Sequence, residues 1–192
     1  METEEIIKGY FGHIPEAVWP KAEQIKLLIT DIDGVMTDGG IIYDNEGMEL
    51  KKFQVKDGYI VQFLRRNRIM VGAITGRKSQ VVENRCEELR FDFHYHGIKD
   101  KGKKLTELLE TLELEEKEVA YIGDDLIDLP IMKRVGLTAC PADAIPYIKH
   151  QVDFVTNVTG GNGAFREVAD LLLHAKGKLI PLIESLAEKN DE

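Results

Sequence analysis

The stretch IKLLITDIDG, residues 25–34, decides the fold. Its first six residues are mainly apolar and do not alternate with polar ones, a pattern typical of a strand buried on both faces of a parallel sheet. Asp31 and Asp33 follow directly, and residues i and i+2 of an extended chain point to the same side. Gly34 then permits a sharp turn. The stretch therefore predicts a buried strand that delivers two carboxylates to one edge of a sheet.

Further apolar runs follow along the chain, at 69–75, 93–96, 119–123, 136–140 and 154–156. Between the runs, apolar residues recur at helical spacing. Strand–helix alternation of this kind predicts an α/β fold with a doubly wound parallel sheet. The predicted helical stripes are Ile60, Phe63 and Leu64; Val81, Val82, Cys86 and Leu89; Leu105, Leu108, Leu109 and Leu112; Leu126, Leu129 and Met132; and Val168, Leu171 and Leu172.

One segment, residues 39–53, interrupts the alternation. It has two strand-like runs on either side of Asn45, Glu46 and Gly47, which predicts a β-hairpin with a glycine-containing turn. The hairpin follows the first strand directly, where doubly wound sheets place their ligand crevice.

The rest of the chain is predicted to form one domain with two short ends. Residues 25–175 form the domain, and residues 1–24 are expected to be a short helical or loose arm broken at Pro15 and Pro20. Residues 176–192 are expected to form a helical tail.

Composition narrows the function classes. The 192 residues carry 25 basic and 34 acidic side chains, a net charge of −9, which disfavours a nucleic-acid or anionic-membrane surface. The sequence contains no run of 18 uncharged apolar residues, so it predicts no membrane span. Its acidic N-terminus is unlike a signal peptide. The two cysteines, Cys86 and Cys140, are too few for a disulfide scaffold or a thiolate zinc site. We therefore expect a cytoplasmic protein.

The ends of the other predicted strands also carry polar residues. Parallel strands bring their carboxyl ends to one edge, so these side chains are expected to meet Asp31 and Asp33 there. Acids outnumber bases in this set, and oxygen ligands without histidine or cysteine suit Mg²⁺. The set consists of Thr75, Gly76, Lys101, Asp124, Asp125 and Asp128.

A lysine and a hydroxyl beside magnesium suit a phosphoryl group, whose oxygens carry negative charge. One aspartate is then available as a nucleophile that forms an aspartyl-phosphate, and another can protonate the leaving oxygen. Charge and position together predict phosphoryl transfer.

The motifs DIDGVMTDG (31–39), ITGR (74–77), KDK (99–101) and GDDLIDLP (123–130) resemble, in this order, the four motifs of the haloacid dehalogenase superfamily of phosphatases. The hairpin, the short chain and the segment GGNGAFREVADLLL (160–173) resemble the 3-deoxy-D-manno-octulosonate 8-phosphate phosphatase family more closely. The resemblance covers about residues 25–175.

The resemblance implies a role for each matching residue. Asp31 would be the nucleophile and Asp33 the general acid/base, with Lys101 bridging Asp31 and the phosphate. Thr75, beside Gly76, would bind phosphate. Magnesium would be held by Asp31, the backbone carbonyl of Asp33 and Asp124. Asp125 and Asp128 would support the metal site.

The resemblance also implies a Rossmann-like core without a cap domain, in a homotetramer whose hairpins assemble together and whose active sites lie at subunit contacts. One departure is Ile60, where the family usually has glycine, and it bears on packing at the site entrance.

The substrate implied is the eight-carbon sugar acid phosphate. Arg77 supplies a guanidinium that matches a carboxylate, and Arg85 is a second candidate contact or a solvated surface residue. A helix-start arginine paired with Glu83 is the structural alternative for Arg77. Two other functions stay open: a phosphatase of the nine-carbon 2-keto-3-deoxynonulosonate 9-phosphate, and a non-catalytic assembly domain, which is disfavoured because Asp31, Asp33 and Asp124 are all present.

Structural alternatives exist for single residues. Asp31, Asp33, Thr75 and Asp128 are all types that cap strands and helices. Lys101 has lysine neighbours, so its selection depends on the resemblance. His94 and His96 are spaced like a metal pair but lack an evident third ligand, which favours a structural or rim role.

Overall fold

The computed structural model describes residues 2–188. The strands are β1 (Leu27–Thr30), β2 (Ile42–Tyr43), β3 (Glu49–Leu50), β4 (Met70–Ile74), β5 (Phe93–Tyr95), β6 (Val119–Ile122), β7 (Leu137–Cys140) and β8 (Phe154–Val155). The helices are α1 (Glu2–Tyr10), α2 (Val18–Gln24), α3 (Val55–Arg66), α4 (Gln80–Glu88), α5 (Lys101–Leu112), α6 (Leu129–Met132), α7 (Pro146–Lys149), α8 (Ala164–Ala175) and α9 (Leu179–Glu188). Two 3₁₀ turns cover Glu116–Glu118 and Leu126–Asp128.

Six strands form one parallel sheet in the order β5-β4-β1-β6-β7-β8. All four residues of β1 are buried, and their alternation sends Leu28 to one apolar core and Leu27 and Ile29 to the other. A strand with two buried faces needs the unbroken apolar run that the sequence shows. The predicted doubly wound α/β sheet is confirmed, with each strand inside its predicted run.

The hairpin is confirmed as a separate pair of two-residue antiparallel strands, with Ile42 opposite Leu50 and Tyr43 opposite Glu49. Gly47 occupies the turn with φ +84°, a conformation that favours glycine. Asp44 Oδ1 accepts the N–H groups of Glu46 and Met48 and so closes the turn. Within residues 2–188, the hairpin and α3 are the only secondary-structure elements between β1 and β4, so no larger domain is inserted there.

The N-terminal arm is not loose. Its two helices and the turn between them bury Ile7, Phe11, Ile14 and Val18 in the core to which α3 and α8 contribute. Pro20 does not break the chain as predicted, because it lies in the first turn of α2, where backbone N–H groups have no partner inside the helix.

The C-terminal tail forms α9, which begins at Leu179 and contains Pro181 in its first turn. Residues 189–192 of the predicted tail lie outside the described residues. Among the helices of residues 2–188, none has the length and apolar character needed to cross a bilayer.

The stripe predicted for Leu126, Leu129 and Met132 is wrong at its first member. Leu126 is 55% exposed and lies in a 3₁₀ turn, and the helix proper begins at Leu129. The turn exists because Asp125 and Asp128 form a reciprocal capping arrangement at its start, so local polar groups override the apolar spacing.

The contact between α3 and α8 buries three acids, Asp57, Glu167 and Asp170, which we call the helix-interface acids. Asp57 Oδ1 accepts the N–H of Arg166 at 2.8 Å, and both carboxylate oxygens of Asp170 accept from the Arg166 guanidinium. Glu167 accepts the N–H of Asn157 and pairs with His13, whose Nε2 lies 2.9 Å away. These bonds join the N-terminal arm to the helices behind the sheet.

Candidate active site

The site lies where β1, β4 and β6 end, side by side in the centre of the sheet. Asp31, Thr75 and Asp124 follow these three strands, and a cavity of about 310 Å³ opens between them. The cavity is lined by Asp31, Asp33, Thr75, Gly76, Arg77, Asp124, Asp125 and Ile127. The structure therefore brings seven of the predicted site residues around one cavity.

Glycines allow the close approach of these elements. Gly34 has φ +90°, and a Cβ at this position would overlap the carboxylate of Asp124. Gly160 and Gly161 lie against the other side of the same loop, where a Cβ on Gly160 would overlap the carbonyl of Gly34. The N–H of Gly161 also donates to the carbonyl of Val35 at 2.9 Å. The loop that carries Asp31 and Asp33 is thus clamped between β6 and the turn before α8.

Lys101 lies beneath the cavity with no exposed side-chain surface. Its Nζ donates to Asp31 Oδ1 at 2.9 Å and to Asp128 Oδ1 at 2.6 Å, and it lies 3.1 Å from the hydroxyl of Tyr121. Burial opposes the charge of Lys101, but the carboxylates of Asp31 and Asp128 outweigh it and raise the pKa of the lysine. Of the neighbouring lysines, the structure places Lys101 at the nucleophile candidate.

Asp128 is the most fully bonded acid of the site. Its Oδ1 accepts from Lys101 and from the hydroxyl of Tyr121 at 2.6 Å, while its Oδ2 accepts the N–H groups of Asp124 and Asp125 at 2.9 and 3.2 Å. The carboxylate both fixes Lys101 and holds the turn after β6. Asp125 is exposed and caps that turn through Leu126 N–H.

Three carboxylates, those of Asp31, Asp124 and Asp128, bring oxygen atoms within 4.8 Å of one another, and we call them the cavity acids. Burial, and then the charges of Asp31 and Asp128, raise the pKa of Asp124 to about 8. Burial also raises the pKa of Asp31, although Lys101 opposes the effect. Asp124 Oδ1 is buried without a hydrogen-bond partner in the described chain. An excess of buried acid with an unbonded oxygen fits a hard divalent cation such as Mg²⁺.

Asp33 turns its carboxylate away from the cavity acids. Its Oδ1 accepts from Lys51 Nζ at 2.5 Å and from the Thr37 hydroxyl at 3.4 Å. Its Oδ2 is buried without a hydrogen-bond partner in residues 2–188, and Arg77 Nε lies 3.6 Å from it. The side chain of Asp33 is therefore not in the group of carboxylates whose oxygens lie close enough to share a metal ion, and the role of its backbone carbonyl stays a prediction.

Arg77 reaches the cavity rim, but it is not unpaired. Its guanidinium donates to Glu49 Oε1 at 3.0 Å and to the hydroxyl of Tyr43 at 3.1 Å. The partner is the hairpin, not the Glu83 of the structural alternative. Ser79 donates to the other oxygen of Glu49. The hydrogen bond from Ser79, together with the hydrogen bond from Arg77 and the charge of Lys51, lowers the pKa of Glu49 below its usual value, although burial opposes this effect.

Two predicted or discussed residues lie away from the cavity. The guanidinium of Arg85 pairs with Glu88 at 2.8 Å and lies over the ring of Phe53, so within one chain it does not line the cavity. Ile60 is buried in the core on α3 and does not reach the entrance. Helical spacing predicted the helix on which each residue lies, but it did not predict the direction in which each side chain points.

His94 and His96 contact each other, with Nδ1 of the first 2.8 Å from Nε2 of the second. In residues 2–188 no third ligand atom joins them in a metal-binding group. The pair lies on β5, at the edge of the sheet.

The sequence reasoning missed the hairpin residues that face the site: Tyr43, Glu49 and Lys51. A signal existed, because Glu49 and Lys51 are i and i+2 and so share one face of their strand, opposite the apolar Met48 and Leu50. The alternation predicts an amphipathic strand, and the polar face is the one that meets the site.

Comparison with known sequences gives two results. Residues 95–168 match the family model of the haloacid dehalogenase-like hydrolases. The chain is 48% identical over 169 residues to the 3-deoxy-D-manno-octulosonate 8-phosphate phosphatase KdsC of Salmonella typhi, covering 88% of this chain and 90% of the relative.

Two crystal structures give the same result in three dimensions. The 3-deoxy-D-manno-octulosonate 8-phosphate phosphatase of Yersinia pestis is 47% identical, with a TM-score of 0.84 over 85% of this chain and 89% of that one. The corresponding phosphatase of Moraxella catarrhalis, in complex with a magnesium ion, a phosphate ion and KDO, is 38% identical, with a TM-score of 0.86 over 88% and 98% of the two chains.

Proposed function

The chain belongs to the haloacid dehalogenase-like hydrolases, in the family of the 3-deoxy-D-manno-octulosonate 8-phosphate phosphatases, and on that premise we propose that it hydrolyses this sugar acid phosphate with magnesium. The observation that carries the proposal is the contact of Asp31 with buried Lys101 beside Asp124, in a cavity at the sheet edge. A nucleophile candidate, a buried cation and an acid excess are what transfer of a phosphoryl group requires.

The reaction follows from the positions of these side chains. Lys101 and Thr75 bind the phosphoryl oxygens and orient phosphorus toward Asp31. A carboxylate oxygen of Asp31 forms a bond to phosphorus while the bond from phosphorus to the sugar oxygen breaks, and Asp33 donates a proton to that oxygen. Asp33 then takes a proton from water, which attacks the aspartyl-phosphate and releases phosphate and free Asp31.

Magnesium fits the acids that the chain presents. Asp31, Asp124 and the backbone carbonyl of Asp33 would hold it, with Asp125 and Asp128 in support. When bound, the ion offsets the charge of the carboxylates and of the phosphoryl oxygens. The relative from Moraxella catarrhalis is described with magnesium, phosphate and KDO together, which supports this assignment.

Arg77 is proposed to recognise the carboxylate of the sugar acid. It is the cation at the cavity rim, and its planar guanidinium matches a carboxylate in a way that an ammonium does not. Glu49 holds it in place from the hairpin. Arg85 would serve the substrate only from a neighbouring subunit, because within its own chain it lies behind Phe53.

We further propose a homotetramer with shared active sites. The hairpin exposes apolar side chains that a lone ribbon would not keep in water: Ile41, Ile42, Tyr43, Met48 and Leu50 are each 48–58% exposed. Light scattering should give a mass of four chains of 21.7 kDa. An active monomer would contradict both the tetramer and the shared site.

We also place the enzyme in the cytoplasm, where buried Cys86 and Cys140 would stay reduced.

The test of the function is phosphate release by the purified protein in magnesium, from the eight-carbon and the nine-carbon sugar acid phosphates and from p-nitrophenyl phosphate. We expect the highest kcat/KM on the eight-carbon ester. Higher kcat/KM on the nine-carbon ester would overturn the substrate assignment, and no release from any ester would overturn the phosphatase.

Exchange of Arg77 for alanine separates the substrate carboxylate from the phosphate. Arg77→Ala should raise KM for the sugar acid about tenfold or more and leave p-nitrophenyl phosphate nearly unaffected, because the aryl ester has no carboxylate. An equal effect on both esters would mean that Arg77 serves the phosphate or the fold.

A further inference from the structure

The hairpin inserts a buried cation into the site. Lys51 directly follows β3, and its side chain has no exposed surface. Lysine is among the residues least often buried, because removing an ammonium from water is costly unless a charge compensates it. The neighbouring Lys52 has a side chain 66% exposed, so burial of lysine is specific to position 51.

The compensating charges are two carboxylates. Lys51 Nζ lies 2.5 Å from Asp33 Oδ1 and 3.4 Å from Glu49 Oε1. Glu49 is in turn bonded by Arg77 and by Ser79, which are both in the segment that follows β4. The Nζ atom of Lys51 therefore joins the acid/base candidate to a network between the hairpin and the segment after β4.

The contact leaves the other oxygen of Asp33 without a hydrogen bond, with Arg77 Nε 3.6 Å from it. Lys51 and the Thr37 hydroxyl both donate to Oδ1, and Oδ2 has no hydrogen-bond partner in the described chain although Asp33 lines the cavity. An acid that must reach the leaving oxygen of a substrate needs one fixed oxygen and one free oxygen, in a defined rotamer.

We propose that Lys51 is a positioning residue for Asp33: by fixing Oδ1 it aims the carboxyl group so that Oδ2 transfers the proton to the leaving oxygen. The proposal rests on the proposed phosphatase function and adds to it a role for the hairpin inside its own chain. Lys51 acts through Asp33 and does not itself contact the phosphoryl group.

The test compares leaving groups. A sugar or simple alkyl phosphate releases a poor leaving group that needs a proton, whereas 2,4-dinitrophenyl phosphate releases a stable anion that does not. Lys51→Met should lower kcat/KM about 100-fold on the alkyl ester and less than about 5-fold on the dinitrophenyl ester, because kcat/KM reports formation of the aspartyl-phosphate, the step in which the leaving oxygen takes its proton. Lys51→Arg, which keeps the charge but moves the donors, should fall between the two and preserve the same preference.

Lys52→Met is the matched control. It removes a cation from the adjacent hairpin position, and its kcat/KM should stay near that of the wild type on both esters. Thermal unfolding and light scattering of each variant show whether the fold and the assembly persist. If Lys51→Met does not fold, the leaving-group ratio of Lys51→Arg decides instead.

Two results would overturn the proposal. Equal losses of kcat/KM on both esters in Lys51→Met or Lys51→Arg would assign Lys51 to phosphate binding or to the fold. The other result is no loss of kcat/KM on either ester. Failure of the phosphatase function is distinguishable, because it would appear as an inactive wild type.

Discussion

The molecule buries two groups of three acids, and they differ in how closely their oxygens approach one another and in whether a cavity adjoins them. Among the helix-interface acids, Asp57 and Asp170 bond to Arg166, while Glu167 bonds to His13 and to the N–H of Asn157. Among the cavity acids, Asp31 and Asp128 bond to Lys101. Each group contains one carboxyl group with a buried, unpartnered oxygen and a raised pKa: Asp57, at about 7, and Asp124, at about 8. In residues 2–188, only the cavity acids bring their oxygens close enough to share a metal ion.

The difference teaches how to separate a structural acid cluster from a reactive one. Burial alone does not do so, because Glu167 and Asp128 are equally inaccessible. The helix-interface acids are bonded largely by groups of the helices and loops that they join, so their charge serves packing. The cavity acids border open space and carry more negative charge than their own chain neutralises, which leaves room for a ligand to supply the balance.

The largest effect is expected at Asp31. Asp31→Asn should reduce phosphate release by about a thousandfold or more, because an amide does not attack phosphorus, while the melting temperature should not fall. Steady-state assays with thermal unfolding check both parts. Residual activity above about 1% would exclude the covalent route through Asp31.

The metal response should separate the two acid clusters. Chelator should abolish wild-type activity, and magnesium or manganese should restore it better than calcium, which prefers larger coordination numbers. Magnesium at 100 times its Kd should also stabilise the fold by about 2.7 kcal/mol, a rise of several degrees in Tm.

Asp124→Asn should lose that rise in Tm, whereas Asp170→Asn, the matched change among the helix-interface acids, should keep it although its starting Tm is lower. A magnesium response retained in Asp124→Asn, or lost in Asp170→Asn, would mean that the comparison between the clusters is wrong.

The smallest effect is expected at Asp57, in the pH dependence of stability. Burial raises the pKa of Asp57 to about 7, against the Arg166 N–H and nearby arginines, while an unfolded aspartate titrates near 3.9. Between about pH 4 and pH 7 the folded state therefore binds more protons, and this carboxyl group contributes stability that grows as the pH falls through that window.

Asp57→Asn should flatten this part of the curve. Relative to the wild type, the variant should gain roughly 5–10 °C in Tm between pH 5 and pH 8, the equivalent of about 2.6 kcal/mol. Thermal unfolding of both proteins in the same buffers gives the difference directly. A constant difference across this range would mean that Asp57 is ionised throughout.

The strand ends were predictable because the pattern is local: an apolar run followed within a few residues by glycine and by an acid or a hydroxyl. Asp31, Thr75 and Asp124 meet because parallel strands align their ends, which requires only the strand order. Lys51 was not predictable in the same way, since its burial depends on how the hairpin folds back over the sheet edge. Arg85 shows the reverse case, where the helix was predicted and the direction of the side chain was not.

The helix-interface acids were also missed. Asp170 and Glu167 are interspersed with apolar residues in α8, where spacing predicts only a buried face. Arg166 lies in the same helix, but the other partners, His13, Asn157 and Asp57, come from separate parts of the chain. Position in the sequence located acids that share a sheet edge, but it could not reveal acids that share a helix interface.

The clamp on the nucleophile loop has a consequence for the order of protein synthesis. The ribosome makes Asp31 early, yet the loop around it is packed against Gly160 and Gly161, which emerge after more than four-fifths of the chain. A nascent chain can form β1 and β4 before this point, but its reactive loop lacks one wall. Catalytic competence is therefore a property of the nearly finished chain, and premature termination before residue 160 leaves the acids of the first strand without the support that shapes them.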